Sequence, residues 1–156
     1  MMRDTMARVP AHTPAHINAR IERETEERIV RYARRLREPD GLDAIDRRLR
    51  ELDEEWDIER VLEANAATIS LLGVGVAAAT DDRRWLLLPG AVAAFLLQHA
   101  VQGWCPPVSV FRRLGVRTAA EIDRERYALK ALRGDFDDLP ADGAGRARES
   151  LRAVRL

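Results

Sequence analysis

The chain has 156 residues, and its 26 Lys and Arg are balanced by 26 Asp and Glu, so the formal net charge is zero. That balance excludes a nucleic-acid-binding protein held by bulk positive charge, and it equally excludes a uniformly acidic disordered chain. The single cysteine, Cys105, excludes a disulfide framework within one chain. The length fits a single domain, although charged and apolar residues are segregated along it.

The N-terminal part is rich in charge. Residues 1–14 lack the apolar run of a secretory signal and are predicted to be flexible. Residues 15–60 predict a charged amphipathic arm of two helices, with a break at residues 39–41, where the sequence reads Pro-Asp-Gly. Apolar residues recur in both helices every three or four positions, among Glu and Arg. Such a narrow stripe suits a coiled-coil partner or a membrane surface, and the two alternatives stay open.

Two uncharged stretches follow, residues 64–80 and 85–104, and only Asp-Asp-Arg-Arg separates them. As helices they would be about 25 and 30 Å long, which is close to the thickness of a bilayer's hydrocarbon core. The sequence therefore predicts an all-α membrane protein with a two-helix transmembrane hairpin over residues 61–104, flanked by cytoplasmic amphipathic helices. The spans are placed at about 62–80 and 85–104. A soluble helical bundle is the alternative, but only narrow amphipathic stripes would be available to shield two apolar helices.

The orientation follows from the arginines. The connector holds only Arg83 and Arg84, whereas the flanking segments are richer in arginine. The arginines nearest the spans are Arg47, Arg48, Arg50 and Arg60 before the first span, and Arg112, Arg113, Arg117 and Arg124 after the second. The positive-inside bias places both termini in the cytoplasm and the connector outside. Five residues are predicted to anchor the chain at the lipid–water interfaces, because Trp prefers that depth and Arg meets anionic headgroups: Trp56, Trp85, Trp104, Arg112 and Arg113.

Residues 105–134 predict a short interfacial segment followed by a C-terminal helix. The capping box Thr118-Ala-Ala-Glu121 opens that helix, and Gly134 ends it. Residues 135–156 are rich in Asp, Gly, Ala and Arg, and a disordered tail is expected there.

The block from Trp56 to Phe136 resembles the YgaP-like inner-membrane transmembrane domain family, which is a domain of unknown function. The motif WDIERVLEANAA enters the first span, and GWCPPVSVFRRLGVRT, the most specific match, leaves the second. The charged N-terminal extension and the ERYALKALRGDF ending indicate a proteobacterial subgroup. The resemblance implies a hairpin in the bacterial cytoplasmic membrane with both ends inside. The best-known member also carries a rhodanese domain for sulfur transfer, and no such domain is present in this sequence.

Cys105 is the sharpest candidate for chemistry. It lies at the predicted membrane edge, and nearby Arg112 and Arg113 would favour a reactive thiolate. One interpretation is a thiol relay that handles persulfide or redox equivalents, and the other is a small apolar residue packed at a helix end. His12 and His16 are too few ligands to predict a metal site.

Polar and small residues inside the spans form two further sets. Five polar residues are predicted to hydrogen-bond between the helices or between subunits, with a proton or ligand path as the alternative: Asn65, Thr68, Gln98, His99 and Gln102. Six small residues are predicted to let helices pack closely, within the hairpin or in a dimer: Ala66, Ser70, Gly73, Ala77, Gly90 and Ala94.

These patterns predict a non-catalytic membrane anchor or scaffold. The expected partners are the lipid bilayer, further copies of the chain and an unidentified cytoplasmic or membrane protein. No cofactor, metal or nucleic acid is expected.

Overall fold

The computed structural model describes residues 5–137, 139–140 and 142–155. In that part of the chain all regular structure is helical, with no β-strand. A short 3-10 helix, Arg83–Leu86, precedes α5. The α-helices are α1 Thr5–His12, α2 Ala15–Arg35, α3 Gly41–Glu54, α4 Ile58–Thr80, α5 Leu87–Gln102, α6 Pro106–Arg113, α7 Ala119–Arg133 and α8 Gly143–Arg155.

Local chemistry sets the helix ends. The Asp57 side chain accepts a hydrogen bond from the Arg60 amide at 2.8 Å and so caps the start of α4. Gly103 ends α5 in the left-handed region at φ 72°, where a side chain would be strained. Cys105 is extended, and Pro106 follows it in the first turn of α6, where a missing N–H costs nothing.

The chain divides into two compact units. We call Met1–Ile21 with Trp56–Ala120 the hairpin unit, and Glu22–Glu55 with Glu121–Leu156 the arm unit.

In the hairpin unit, α4 packs along α5 through small residues. A Cβ atom added at Gly73 would lie 2.8 Å from Cδ of Pro89, so the close approach of the two helices requires glycine there. Ala66 is also buried on this face of α4. At the other end of α4 a small apolar cluster joins it to α1 and α6, and its buried members are Val9, Ile58, Leu62, Cys105 and Val108.

The arm unit has its own core, built from α3 and α7 with Tyr32 and Leu36 packed against it. Glu125 is fully buried beside this core, and its carboxylate forms salt bridges with two arginines. Nε of Arg48 lies 2.9 Å from one carboxylate oxygen and Nε of Arg28 lies 3.2 Å from the other. The amine of Lys130 is buried as well and donates to the carbonyl of Ala153 in α8 at 3.0 Å. Burial lowers the pKa of that amine.

Several predicted elements are present. The arm contains two helices with a break near residue 40, and the two apolar stretches are helices joined by a short connector. Both are long and apolar enough to span a membrane.

Two sequence predictions are wrong for the described residues. The N-terminal stretch is not irregular, because α1 forms and Val9 is buried in the hairpin unit. The expected disordered tail contains α8, with Ala153 buried. Both helices rest on contacts with distant residues, such as Lys130, which local composition does not reveal. Met1–Asp4, Asp138, Ala141 and Leu156, which those two predictions also cover, lie outside the described residues.

Replacing the buried carboxylate tests this account of the arm unit. We expect Glu125→Gln to reduce the free energy of unfolding of the arm unit by about 3 kcal/mol, because two arginines lose their anion. Hydrogen–deuterium exchange at the amides of α3 and α7 in the full chain measures that loss. The matched variant Glu54→Gln, at an exposed position of α3, should change it by less than about 0.5 kcal/mol. Equal protection in both variants would contradict the account.

Candidate functional site

The base of the hairpin holds its main polar contact between helices. His99, near the end of α5, is 5% exposed, and its Nε2 lies 2.8 Å from Oε2 of Glu59 in the first turn of α4. Glu59 is itself partly enclosed, with 29% of its side chain exposed. The pair therefore ties the end of one apolar helix to the start of the other.

Each partner of this pair keeps one enclosed polar atom without a hydrogen bond to the described part of the chain. The atoms are Nδ1 of His99 and Oε1 of Glu59. Enclosed polar atoms without partners are costly, so a water molecule would be stabilised there if space admits one. At 2.8 Å, the imidazole and the carboxylate are within hydrogen-bonding distance.

The other four predicted polar residues bond within their own helix rather than across the hairpin, and bonds between subunits stay a prediction. Asn65 donates to the carbonyl of Val61, and Thr68 donates to that of Ala64, both in the preceding turn of α4. Gln98 bonds to Gln102 one turn away in α5, at 3.5 Å. Short polar side chains in a helix can bond to the carbonyl four residues back, so they need no partner on another helix. Of the five, His99 alone bonds across the hairpin to another residue in the described ranges.

Glu59 was missed in the sequence analysis because it precedes the uncharged stretch. The first span was placed at residue 62, whereas α4 begins at Ile58. The cap at Asp57 is the signal that could have found it, since an N-cap there includes Glu59 in the helix.

Cys105 lies near this pair at the base of the hairpin. It is 2% exposed, packs with Val9, Ile58 and Val108, and borders an apolar cavity of about 140 Å³ that Phe95 and Phe111 also line. Burial is the main cause that raises the pKa of this thiol, and the negative charge of Glu59 adds to it. The environment thus favours the neutral thiol over the thiolate that a sulfur relay would use.

Arg112 has a structural position rather than the predicted interfacial one. Its side chain is fully buried and donates to Asn18 Oδ1 at 2.9 Å, to the Val116 carbonyl at 3.1 Å and to Thr13 Oγ1 at 3.3 Å. The prediction that Arg112 meets lipid headgroups is wrong, because these contacts bind the segment after α1 to the end of α6. Arg113, the next residue, is exposed.

The three tryptophans lie at or near helix ends. Trp56 is 48% exposed, with the Arg60 guanidinium 4.4 Å from the centre of its ring. Trp85 is 46% exposed in the connector, at the far end of the hairpin. Trp104 is partly buried, and its indole N–H donates to Ser109 Oγ at 3.2 Å. Their role as interface anchors stays a prediction.

The six small residues separate into two groups. Ala66 and Gly73 are buried against the rest of the hairpin unit, and Ser70 and Ala77 are partly buried on the same helix. Gly90 and Ala94 of α5 are exposed, and a Cβ atom added at Gly90 would meet nothing within 4 Å. The small residues of α4 therefore serve the hairpin, whereas those of α5 face outward.

Within the described ranges, no group of three His, Cys, Asp or Glu side chains is arranged to hold a metal ion. Comparison of the chain with protein-family models, with curated proteins and with solved structures gave no match.

The burial of Cys105 makes its reactivity testable. We expect iodoacetamide to alkylate Cys105 in the full chain at pH 7 at least ~10-fold more slowly than an exposed thiol, and the rate to rise only at alkaline pH, because burial favours the neutral form. The exposed reference is Glu24→Cys in a Cys105→Ser background, and intact-mass spectrometry follows both reactions. Equal rates at neutral pH would show that the thiol is accessible and activated.

Proposed function

We propose that the chain is a small, non-catalytic integral protein of the bacterial cytoplasmic membrane. In this proposal the hairpin anchors it, both termini lie in the cytoplasm, copies associate through α5, and the arm helices are presented to a partner protein. The observation that carries the proposal is the exposure of the two apolar helices. Only 11% and 6% of the residues in their apolar windows are buried.

The exposed surface of α4 and α5 is unsuited to water. Leu71 and Leu87 are 73% and 77% exposed, and Leu97 is 66% exposed. A soluble monomer rarely leaves so much contiguous apolar surface uncovered, since patches beyond a few hundred Å² mark interaction sites. A bilayer covers such helices at no cost, because the helices satisfy their own backbone hydrogen bonds. This favours a membrane hairpin over the soluble helical bundle.

The proposed orientation rests on the unequal placement of arginines on the two sides of the hairpin. The choice of the bacterial cytoplasmic membrane also draws on the resemblance to the YgaP-like domain, which itself remains a prediction.

The burial of Cys105 and its raised pKa favour an anchor over the thiol relay. A relay needs a thiol that substrates can reach and that ionises readily. In this structure the thiol instead contributes to the apolar cluster that joins α1, α4 and α6.

Association between copies is proposed through a seam on the outer face of α5. Leu87, Gly90, Ala94, Leu97 and Val101 follow one another at spacings of three and four, and all five are exposed. Small residues in the middle of such a seam let two backbones approach closely in a membrane.

Topology labelling tests the anchor. In cells that produce Cys105→Ser variants, a membrane-impermeant maleimide should label Thr80→Cys from outside and should label Glu24→Cys only after lysis. The reverse pattern would contradict the orientation. The protein should also stay in membranes after a carbonate wash. Release by that wash would support the soluble bundle.

Energy transfer between labelled copies in liposomes tests the seam. We expect Gly90→Leu with Ala94→Leu to weaken association at least ~5-fold, because the backbones can no longer approach closely. The matched control is Gly75→Leu with Ala78→Leu, which places the same bulk at exposed positions of α4. Association that withstands the first pair, or fails equally in both, would rule out the α5 seam.

A further inference from the structure

A groove in the arm unit is lined mainly by arginines. We call it the arginine groove, and it has a volume of about 600 Å³ between α2 and α3. That volume is within the range of about 300–1,000 Å³ typical of small-molecule sites. Five arginines line it: Arg28, Arg31, Arg34, Arg35 and Arg48.

Three of these arginines are already paired. Arg28 and Arg48 both bind Glu125, at 3.2 and 2.9 Å. Arg48 also binds Glu51 at 3.0 Å, and Arg35 lies 3.5 Å from Glu38. Glu38 and Glu51 are the two acids that line the groove, and each already contacts one of these three arginines.

Arg31 and Arg34 are different. Both are exposed, they lie one turn apart on α2, and neither has an ion pair with any residue in the described ranges. They also line a second groove of about 460 Å³, whose lining includes Glu26 and Glu27. Like charges at this spacing repel and destabilise a helix, and a bound anion would relieve that repulsion.

The geometry points to a binding site for a phosphate group, held by Arg31 and Arg34 at the arginine groove. Guanidinium forks match phosphate oxygens with two parallel hydrogen bonds each, which favours arginine over lysine for this ligand. The phosphate can come from a soluble phosphate ester or from an anionic lipid headgroup. This inference concerns the arm unit and holds whether or not the hairpin is inserted in a membrane.

The test uses the full chain in phosphatidylcholine nanodiscs, titrated with inorganic pyrophosphate by calorimetry. We expect binding that weakens as salt rises, and a loss of at least ~10-fold in affinity in the double variant Arg31→Gln with Arg34→Gln. Both positions are exposed, so that variant should fold. The matched control, Arg37→Gln with Arg50→Gln, removes the same charge from exposed sites outside the groove and should stay within ~2-fold.

A second arm of the test keeps the chain in phosphatidylcholine nanodiscs and follows their co-flotation with vesicles of phosphatidylglycerol or of phosphatidylcholine. If the protein floats with the phosphatidylglycerol vesicles only, and the Arg31 and Arg34 double variant does not, the phosphate comes from a lipid headgroup. If the protein binds pyrophosphate but does not float with either kind of vesicle, the phosphate comes from a soluble ester. No binding of either probe, or equal losses in the two double variants, would overturn the site. Tighter binding of a polyglutamate peptide than of pyrophosphate would overturn it in favour of an acidic protein partner.

Discussion

The structure depends on what surrounds its two apolar helices, α4 and α5. These two helices satisfy their backbone hydrogen bonds internally, so the backbone needs no water along their length. Few of their side chains can form hydrogen bonds with water. Among the residues that the structure describes, few in either apolar window are buried. Charged side chains accordingly lie towards the two ends of the hairpin, in the connector at one end and at Glu59, paired with His99, at the other.

In each of the two units a buried charged side chain is hydrogen-bonded to residues from other parts of the chain. Arg112 is enclosed at the base of the hairpin unit, and Glu125 is enclosed in the arm unit. Each is surrounded by hydrogen-bonding partners from distant parts of the sequence. A buried ion with its partners in place contributes little net stability, but the loss of one partner is strongly destabilising. The loss of one such contact is therefore expected to cost more stability than the intact set of contacts contributes.

The sequence predicts much of the helical architecture, because hydrophobic periodicity and helix-breaking residues act locally. The break near residue 40 and the connector after Thr80 could both be read from a few neighbouring residues. The partners of Glu59, Arg112 and Glu125 could not, since those contacts join residues about 40 to 100 positions apart. The sequence predicts Arg112 at the lipid interface because its neighbours in the sequence are typical of an interfacial arginine. Its observed partners, Asn18 and Thr13, are distant in the sequence and are brought to it only by the fold.

The enclosure of Lys130 has a practical consequence. It is the single lysine of the sequence, and its amine is covered by α8. The described surface thus presents guanidinium groups and carboxylates but no lysine amine. Reagents that acylate amines, including the common succinimide ester cross-linkers, will find no lysine to attack on the folded protein. Mapping of its neighbours will need carboxylate-directed or light-activated chemistry.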